Sequence, residues 1–564
     1  MKSDTKSFYL AIILSAAAIL IINWLWPAAP SSEVALSEDE TKKEAVLPSE
    51  LEAEQSDDGL YSPLGRKIVA PEEALKQDRR IAFSNSKVSG SIRVKGARFD
   101  DLSLLKYKQT LDPESQDVVL LQPSATKDAY YAEFGWLAND NYRLPDRNTL
   151  WNVIGGELTP DSPIILEWQN GQGLKFVRKI SLDDNYMFSI ENTIENRTGK
   201  DVVLYPYGLI HKVYQEGSAS SKVVHEGMLG VLDSSLKEVS TGKLDKGEKK
   251  EFTTRGGWAG FGERYWFTAF IFGQSDDAKV HFGKTDDATY QADFTQSPIT
   301  IQNGAVGSSN LKFYAGAKEI KLLDDYTKNL NIDKFDLAVD FGWYYFLTKP
   351  FFYILDFLYH IIGNMGWAIL LFAALLRLAM FPVANKSYES MSKMKKVQPK
   401  IQAIQQTYPN DKMRQQQAMM ELYRKEKINP TSGCLPMLIQ IPVFFSLYKV
   451  LNIAIEIRQA PFVGWIKDLS APDPLTLSAM SGLPIPSMID LGVWPILMGL
   501  TMYLQQKLSP SPANKDQARM MLLLPVIFTF MLGHFASGLV IYWTLSNILS
   551  IIQQKAIMRK YGVK

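Results

Sequence analysis

Apolar residues fall along the chain in three patterns. The first is a continuous run from Phe8 to Trp26, "FYLAIILSAAAILIINWLW", preceded by Lys2 and Lys6. It exceeds the core of a secretory signal and approaches the ~20 residues that cross a bilayer, and Trp24 and Trp26 close it as interfacial anchors. Residues 1–27 therefore read as an uncleaved anchor with its N-terminus in the cytoplasm; cleavage near "PAAP" is the alternative. Residues 28–60 are rich in Glu, Asp, Ser and Ala and hold too little bulky apolar surface to offset the entropy of ordering, which predicts a disordered acidic linker.

The second pattern, over 61–336, is short alternation between turn signals, as in "KFVRKISLDDNYMFSIENTIENRTG" and "SPITIQNGAVGSSNLKFYAGAKEI". It predicts a large all-β domain of the β-sandwich type. The third begins near Phe341, where "FGWYYFLTKPFFYILDFLYH" is crowded with aromatics but broken by Lys349, Pro350, Asp356 and His360. An amphipathic helix at the membrane surface is expected over 337–360. Apolar stretches then place spans at about 361–383, 435–453, 491–508, 520–535 and 539–552, six with the anchor. The expected fold class is a polytopic α-helical membrane protein: an anchor, a five-helix core over 361–564 with a helical hairpin at 385–430, and a large all-β domain.

Charge orients this arrangement. Lys386, Lys393, Lys395, Lys396, Lys400, Lys412, Arg414, Arg424, Lys425 and Lys427 crowd the hairpin, whereas Ala454 to Asp490 holds only Arg458 and Lys467. The hairpin faces the cytoplasm, with Lys507, Lys515 and Arg519 in a second cytoplasmic loop and Lys555, Arg559, Lys560 and Lys564 in a cytoplasmic tail. The β-domain then lies outside, in the periplasm. The overall balance, 61 basic against 60 acidic residues, gives no sign of nucleic-acid binding. Cys434 is the only cysteine, which excludes an intramolecular disulfide and reads as apolar filler.

Candidate chemistry is sparse. "FGKT" at Phe282–Thr285 lacks the glycine a phosphate loop needs, since Ala278 stands there. His211, His225, His281, His360 and His534 show no ligand spacing, so no metal site is expected; no catalytic residue stands out, and the chain is not read as an enzyme. In the hairpin, Met391, Met394, Val397, Ile401 and Ile404 share one helical face, and Asn410 or Asp411 can cap a second helix. Two readings stay open: helices packed only on each other, or a docking surface in which Met391, Met394, Lys395, Lys396, Arg414 and Arg424 meet a partner such as ribosomal RNA or acidic lipid.

Arg377, in "LLRLAMFPV", is a permanent charge in an apolar run, about 9 Å from Val383. It either snorkels to the interface or lines a polar interior. Gln440, Ser446, Thr501, Gln505, Gln506, Thr529, Tyr542, Thr544, Ser546 and Asn547, spread over the other spans, favour a shared wet interior.

The strings "GWAILLFAALLRLAMFPVANKSYESMSKMKKVQPKIQAI", "KINPTSGCLPMLIQIPVFFSLYKVL", "RQAPFVGWIKDLSAPDP" and "SGLVIYWTLSNILSIIQQ" closely resemble the YidC/Oxa/Alb family of membrane protein insertases. "GGWAGFGERYWFTAFI" is similar to the periplasmic domain of its Gram-negative members. The resemblance implies an inner-membrane insertase and chaperone with a hydrophilic groove containing Arg377, closed to the periplasm and open to cytoplasm and lipid. It implies nascent membrane proteins as clients, the Sec translocon and the ribosome as partners, action as a monomer, and no cofactor. Client contacts carry over to Phe444, Tyr542 and Trp543; with Gln440, Thr501 and Asn547 they make the expected groove. Two positions depart from the family pattern: Trp543 stands where tyrosine is usual, and Ala373 where threonine is frequent. The rival from another class is a secondary transporter or channel for a small solute, which the lack of an internal repeat disfavours.

Overall fold

The computed structural model describes residues 68–562 apart from 215–224, 246, 287, 410, 427, 429–434, 488 and 510–514. The expected anchor and acidic linker, and Asn410, Lys427, Cys434 and Lys564, lie outside the described residues.

After a short helix α1 (Pro71–Leu75), the chain forms two antiparallel sheets of ten and nine strands. The first runs in the order β1 (Arg80–Ser84), β2 (Val88–Arg93), β3 (Arg98–Lys108), β5 (Tyr130–Leu137), β10 (Val202–Val213), β17 (Thr289–Gln296), β16 (Asp277–Asp286) and β13 (Lys249–Arg255). Beside it, β4 (Asp117–Leu121) pairs with β3, and β18 (Ile299–Ile301) with β10. The second runs β12 (Ser235–Ser240), β11 (Gly227–Leu232), β14 (Trp258–Gly262), β15 (Trp266–Ile271), β19 (Val306–Ala317), β9 (Met187–Asn196), β8 (Leu174–Leu182), β7 (Ile164–Gln169) and β6 (Asn152–Ile154). Alternation sets which face is buried: along β8 every second residue of "LKFVRKISL" is buried, and Phe176 and Ile180 have no exposed surface. Between the sheets Phe99, Phe134, Phe188, Phe270 and Phe313 meet largely edge to face at centroid distances of 5.2 to 5.9 Å.

The remaining chain is helical: α2 (Ile320–Asn329), α3 (Tyr345–Ile362), α4 (Met365–Ala379), α5 (Phe381–Thr407), α6 (Lys412–Lys425), α7 (Leu435–Ile453), α8 (Leu477–Ser481), α9 (Val493–Leu508), α10 (Lys515–Leu532) and α11 (Ser537–Lys560). The continuous helix expected over 361–383 is not found. Instead α4 stops at Ala379, and α5 departs from it at 66°. Pro382 is the cause: it has no N–H to give the Leu378 carbonyl, and its ring disfavours helical backbone before it. Among the described residues no single helix is long and apolar enough to cross a membrane; this bent pair meets that length and composition. At the crossing of α9 and α10, Gly499 is required, since a Cβ there would lie 2.1 Å from Thr529 Oγ1.

One buried apolar cluster runs from the sheets through Phe335 and Phe341 to Phe351, Ile369, Leu447 and Leu539, so the β-domain and the helices share a core. Polar ties cross the same junction. Lys349 bridges Asp324 and Asp336, each at 2.7 Å, and Lys449 reaches Asp340 at 2.6 Å. Arg264 Nε donates to the Asn452 carbonyl at 2.6 Å, and Arg458 donates to the Lys108 carbonyl at 2.6 Å.

Glu456, in the turn after α7, accepts from the backbone N–H of Ile320 at the start of α2, 3.2 Å away. Burial pushes its carboxyl up to about 7; two backbone N–H groups oppose the shift, and the charges of Glu319 and Asp356 add to it. Because an unfolded glutamate titrates near 4.5, the folded protein holds this proton more tightly. The resulting stabilisation is present below that value and lost as pH rises through 7, at most roughly 3 kcal/mol in all. Thermal unfolding of the full chain should therefore show a midpoint that falls between about pH 5 and pH 8, and Glu456→Gln should flatten that fall. Equal slopes in both proteins would rule out Glu456 as its source.

Candidate functional site

α11 is the helix the others surround. Its first turns are buried all round, at Leu539, Val540, Ile541 and Tyr542, and farther on one face stays buried with Thr544, Asn547, Ser550 and Gln554, so that much of the buried surface there is polar. A buried hydroxyl or amide without a partner costs about 1–3 kcal/mol, so neighbouring helices must supply partners. They do so at three places. On α4, Arg377 Nη2 donates to Ser550 Oγ at 2.5 Å and to Tyr388 Oη of α5 at 2.7 Å. On α9, Thr501 Oγ1 accepts from Asn547 Nδ2 at 3.1 Å. On α7, Gln440 Nε2 donates to Tyr542 Oη at 3.0 Å.

The elbow at Met380 makes the first of these possible. In a straight helix Arg377 and Tyr388 would be about 16 Å apart along the axis; the bend returns the phenol to the guanidinium. Arg377 also ends α4, where carbonyl dipoles favour a cation. Gln553 ties the same corner by donating to Asn385 Oδ1 at 3.0 Å. Arg377 is thus held inside the elbow by Ser550 and Tyr388. Its Nε, Gln553 Oε1 and Gln554 Oε1 are enclosed and without hydrogen-bond partners among the described residues. Such groups call for water or for polar atoms of a bound molecule.

The expected groove residues do not all converge. Around α11, Ser550 is turned about 60° from Asn547 and Tyr542 about 140° in the same direction, so Ser550 lies between them and Tyr542 meets Gln440 of α7 while Asn547 meets Thr501 of α9. Phe444 and Trp543 are engaged with other rings. Their rings meet edge to face at 4.7 Å, Phe444 stacks on Tyr448 at 6.1 Å, Tyr448 stacks on Phe535 at 5.1 Å, and Trp543 faces Phe528 of α10 at 6.4 Å. α11 therefore has a polar flank at Asn547, Ser550 and Gln554 and an aromatic flank at Trp543, one to three turns nearer its N-terminus, so the two are separated along the helix axis and not around it. The tryptophan that departs from the family pattern belongs to the aromatic flank, where a ring finds apolar partners.

The helical hairpin divides its expected residues in two. Met394 packs with Val397, Ile401, Met419, Leu422, Tyr423 and Ile428 in the seam between α5 and α6. Met391 and Lys395 are half-buried, and Lys396, Arg414 and Arg424 lie on the outer surface with Met413 and Met420. Asp411 caps α6 by accepting from the Arg414 N–H at 3.0 Å, and Lys400 pairs with Glu426 across the hairpin at 2.6 Å.

Sequence reasoning missed Tyr388, Asn385, Ser550 and Gln553. Two signals were present: Pro382 five residues after the arginine, and Asn547, Ser550 and Gln554 at three- and four-residue steps on one face of the last helix.

Comparison with known proteins covers nearly the whole chain. Residues 80–354 match the family described as YidC periplasmic domain, and residues 357–564 the family described as 60Kd inner membrane protein. Proteins named membrane protein insertase YidC are 42% identical in Bradyrhizobium diazoefficiens, covering 100% of this chain and 97% of that one, and 43% identical in Beijerinckia indica with the same coverage. A third, from Rickettsia bellii, is 46% identical over 85% of this chain and 87% of its own. A crystal structure of an active YidC insertase superposes with a TM-score of 0.37 at 18% identity, covering 85% of this chain and 92% of that one, too distant in shape to bear on the geometry above.

The two flanks differ in a way a double-mutant cycle detects. Phe444→Ala and Trp543→Ala should couple by about 1 kcal/mol in thermal unfolding, the value of an edge-to-face pair. Phe444→Ala and Ser550→Ala should be additive. Coupling of the second pair as large as the first would contradict the separation.

Proposed function

The chain belongs to the YidC family of membrane protein insertases, and from that premise we propose that α11 divides the work of insertion between its flanks. The polar flank receives the hydrophilic tail or loop of a nascent membrane protein, and the aromatic flank receives its apolar helix. The single observation that carries this reading is that one buried helix bears both surfaces, with Arg377 on the first and Trp543 against Phe444 on the second.

Lipid is the surrounding that suits the bundle. Leu378 on α4, Phe445 on α7, Leu500 on α9 and Leu523 and Ile527 on α10 all expose large apolar side chains, Leu523 by 57%. A contiguous surface of this kind is costly in water and favourable in hydrocarbon. The β-domain then lies in the periplasm, with both termini and the hairpin in the cytoplasm. The outer face of the hairpin, with Lys396, Arg414 and Arg424, suits the ribosome or acidic lipid, and the Sec translocon is a partner in the bilayer.

No chemical step is needed. Carrying a charge through hydrocarbon costs several kcal/mol, and a polar flank reaching partway across removes much of that distance. Arg377 attracts acidic residues of the arriving tail, more strongly than the same pair would attract in water. Transfer of about 20 apolar residues into lipid supplies the drive. The solute-transporter reading finds no support, because relatives matched along the whole chain are named insertases.

A photo-crosslinking residue at position 444 or 543 should capture the apolar helix of a ribosome-bound nascent membrane protein, and one at position 550 its polar tail. Capture of the same client segment from both flanks would sink the division. Separately, Arg377→Ala should slow insertion of a client with an acidic tail about tenfold, and Arg377→Lys less. A client whose tail acids are changed to amides should respond weakly to either; an equal response would mean the arginine acts by some route other than attraction.

A further inference from the structure

Between α7 and α9 the chain makes an excursion whose two ends are stitched together. Thr476 pairs with Gly492, the Leu477 N–H donates to the Leu491 carbonyl at 3.1 Å, and the Val493 N–H to the Leu475 carbonyl at 3.2 Å. Asp490 locks the base by accepting from the Ser478 N–H and the Thr476 hydroxyl, both at 2.8 Å. Asp473 does likewise, accepting from Trp465 Nε1 at 2.9 Å and from the Trp494 N–H at 2.8 Å. No Lys, Arg, Asp or Glu stands between these two aspartates in the sequence. Beyond the base, Met480, Leu483 and Pro484 project outward, Leu483 63% exposed.

Several backbone donors at the tip are already satisfied. The N–H groups of Met480 and Gly482 bond to the Thr476 and Ser478 carbonyls at 2.9 and 2.8 Å, and that of Leu483 to Ser481 Oγ at 3.3 Å. Pro484 and Pro486 have no N–H at all. An uncharged segment with few free donors is cheap to desolvate.

Its place in the fold says what covers it. The adjoining loop bonds to the β-domain through Arg458 and Glu456, so the finger lies on the β-domain side, with the exposed Trp465 bonded to Asp473 at its base. It leads into α9, whose 16 residues span about 24 Å, less than the ~30 Å of a bilayer's hydrocarbon. The exposed Ile496, Leu497 and Leu500 of α9 continue its apolar surface.

We propose that Leu477–Pro486 is a membrane-inserted finger that enters the bilayer leaflet on the β-domain side and completes the apolar thickness that α9 alone does not span. This rests on the helical bundle lying in lipid. The occupant is acyl chain and the adjoining glycerol layer.

The test uses the full-length protein with Cys434→Ser, labelled with an environment-sensitive NBD group and reconstituted in phosphatidylethanolamine/phosphatidylglycerol vesicles. Three label sites are compared: Leu483→Cys at the tip, Leu523→Cys on the lipid face of α10, and Ser308→Cys in the β-domain. The tip label should show blue-shifted emission and lose fluorescence with lipids carrying a shallow nitroxide, as Leu523→Cys does with a deeper one, while Ser308→Cys stays unquenched. Quenching at position 523 with none at 483 overturns the finger alone; quenching at neither overturns the membrane placement of the bundle. A blue shift at 483 that grows with protein density instead of nitroxide lipid assigns the tip to a second copy and also overturns the proposal.

Discussion

The arrangement depends on one constraint: the enclosed face of α11 carries hydroxyls and amides that hydrocarbon does not solvate. The hydroxyls of Thr544 and Ser550 donate to carbonyls of α11 itself, and further partners come from neighbouring helices, which fixes where those helices stand. Arg377 brings α4 to Ser550, Thr501 brings α9 to Asn547, and Gln440 brings α7 to Tyr542. An all-leucine helix would pack as tightly without specifying those contacts, since dispersion is indifferent to which apolar surface it meets. Polar pairing gives the bundle its register, and the atoms left over give it an affinity for polar guests.

The elbow at Met380 and the junction with the β-domain serve the same end from opposite sides. Pro382 interrupts the chain so that Tyr388 folds back onto the arginine, holding a cation at the elbow from which the helical hairpin departs. At the far side, Lys349, Lys449, Arg264 and Glu456 tie α3 and α7 to the β-domain. A shared apolar core underlies these ties. That end of the bundle is therefore braced, whereas the hairpin is joined to the rest largely through α5. Asymmetry of this kind suits a machine that admits polar segments from one side only.

Much of this was legible in the chain itself. Alternation in "LKFVRKISL" announces β8 and its buried face, and the apolar run from Leu435 to Ile453 announces α7. The conspicuous site residues, an arginine and glutamine among leucines, stand out because their burial is expensive. What the sequence hides is convergence. Nothing in the spacing says that Tyr388, eleven residues beyond Arg377, is its partner, because a proline-induced break changes the geometry that periodicity assumes. Nor does it say that Tyr542 and Trp543, adjacent in the chain, face different neighbours; that follows from the 100° turn per residue once the first turns of α11 are known to be enclosed. The separation of polar and aromatic flanks is a property of packing.

The central claim is that the polar flank of α11 is wet while the bundle sits in lipid. The most direct measurement is the rate at which a membrane-impermeant maleimide, added from the cytoplasmic side, modifies Asn547→Cys and Ser550→Cys in inverted membrane vesicles of a Cys434→Ser protein. The account predicts modification well above that of Leu523→Cys, and slowing when a stalled nascent chain occupies the site. Labelling of both positions as slow as that of the lipid-facing one would mean that the polar groups only hold helices together in a dry interior, and would contradict it.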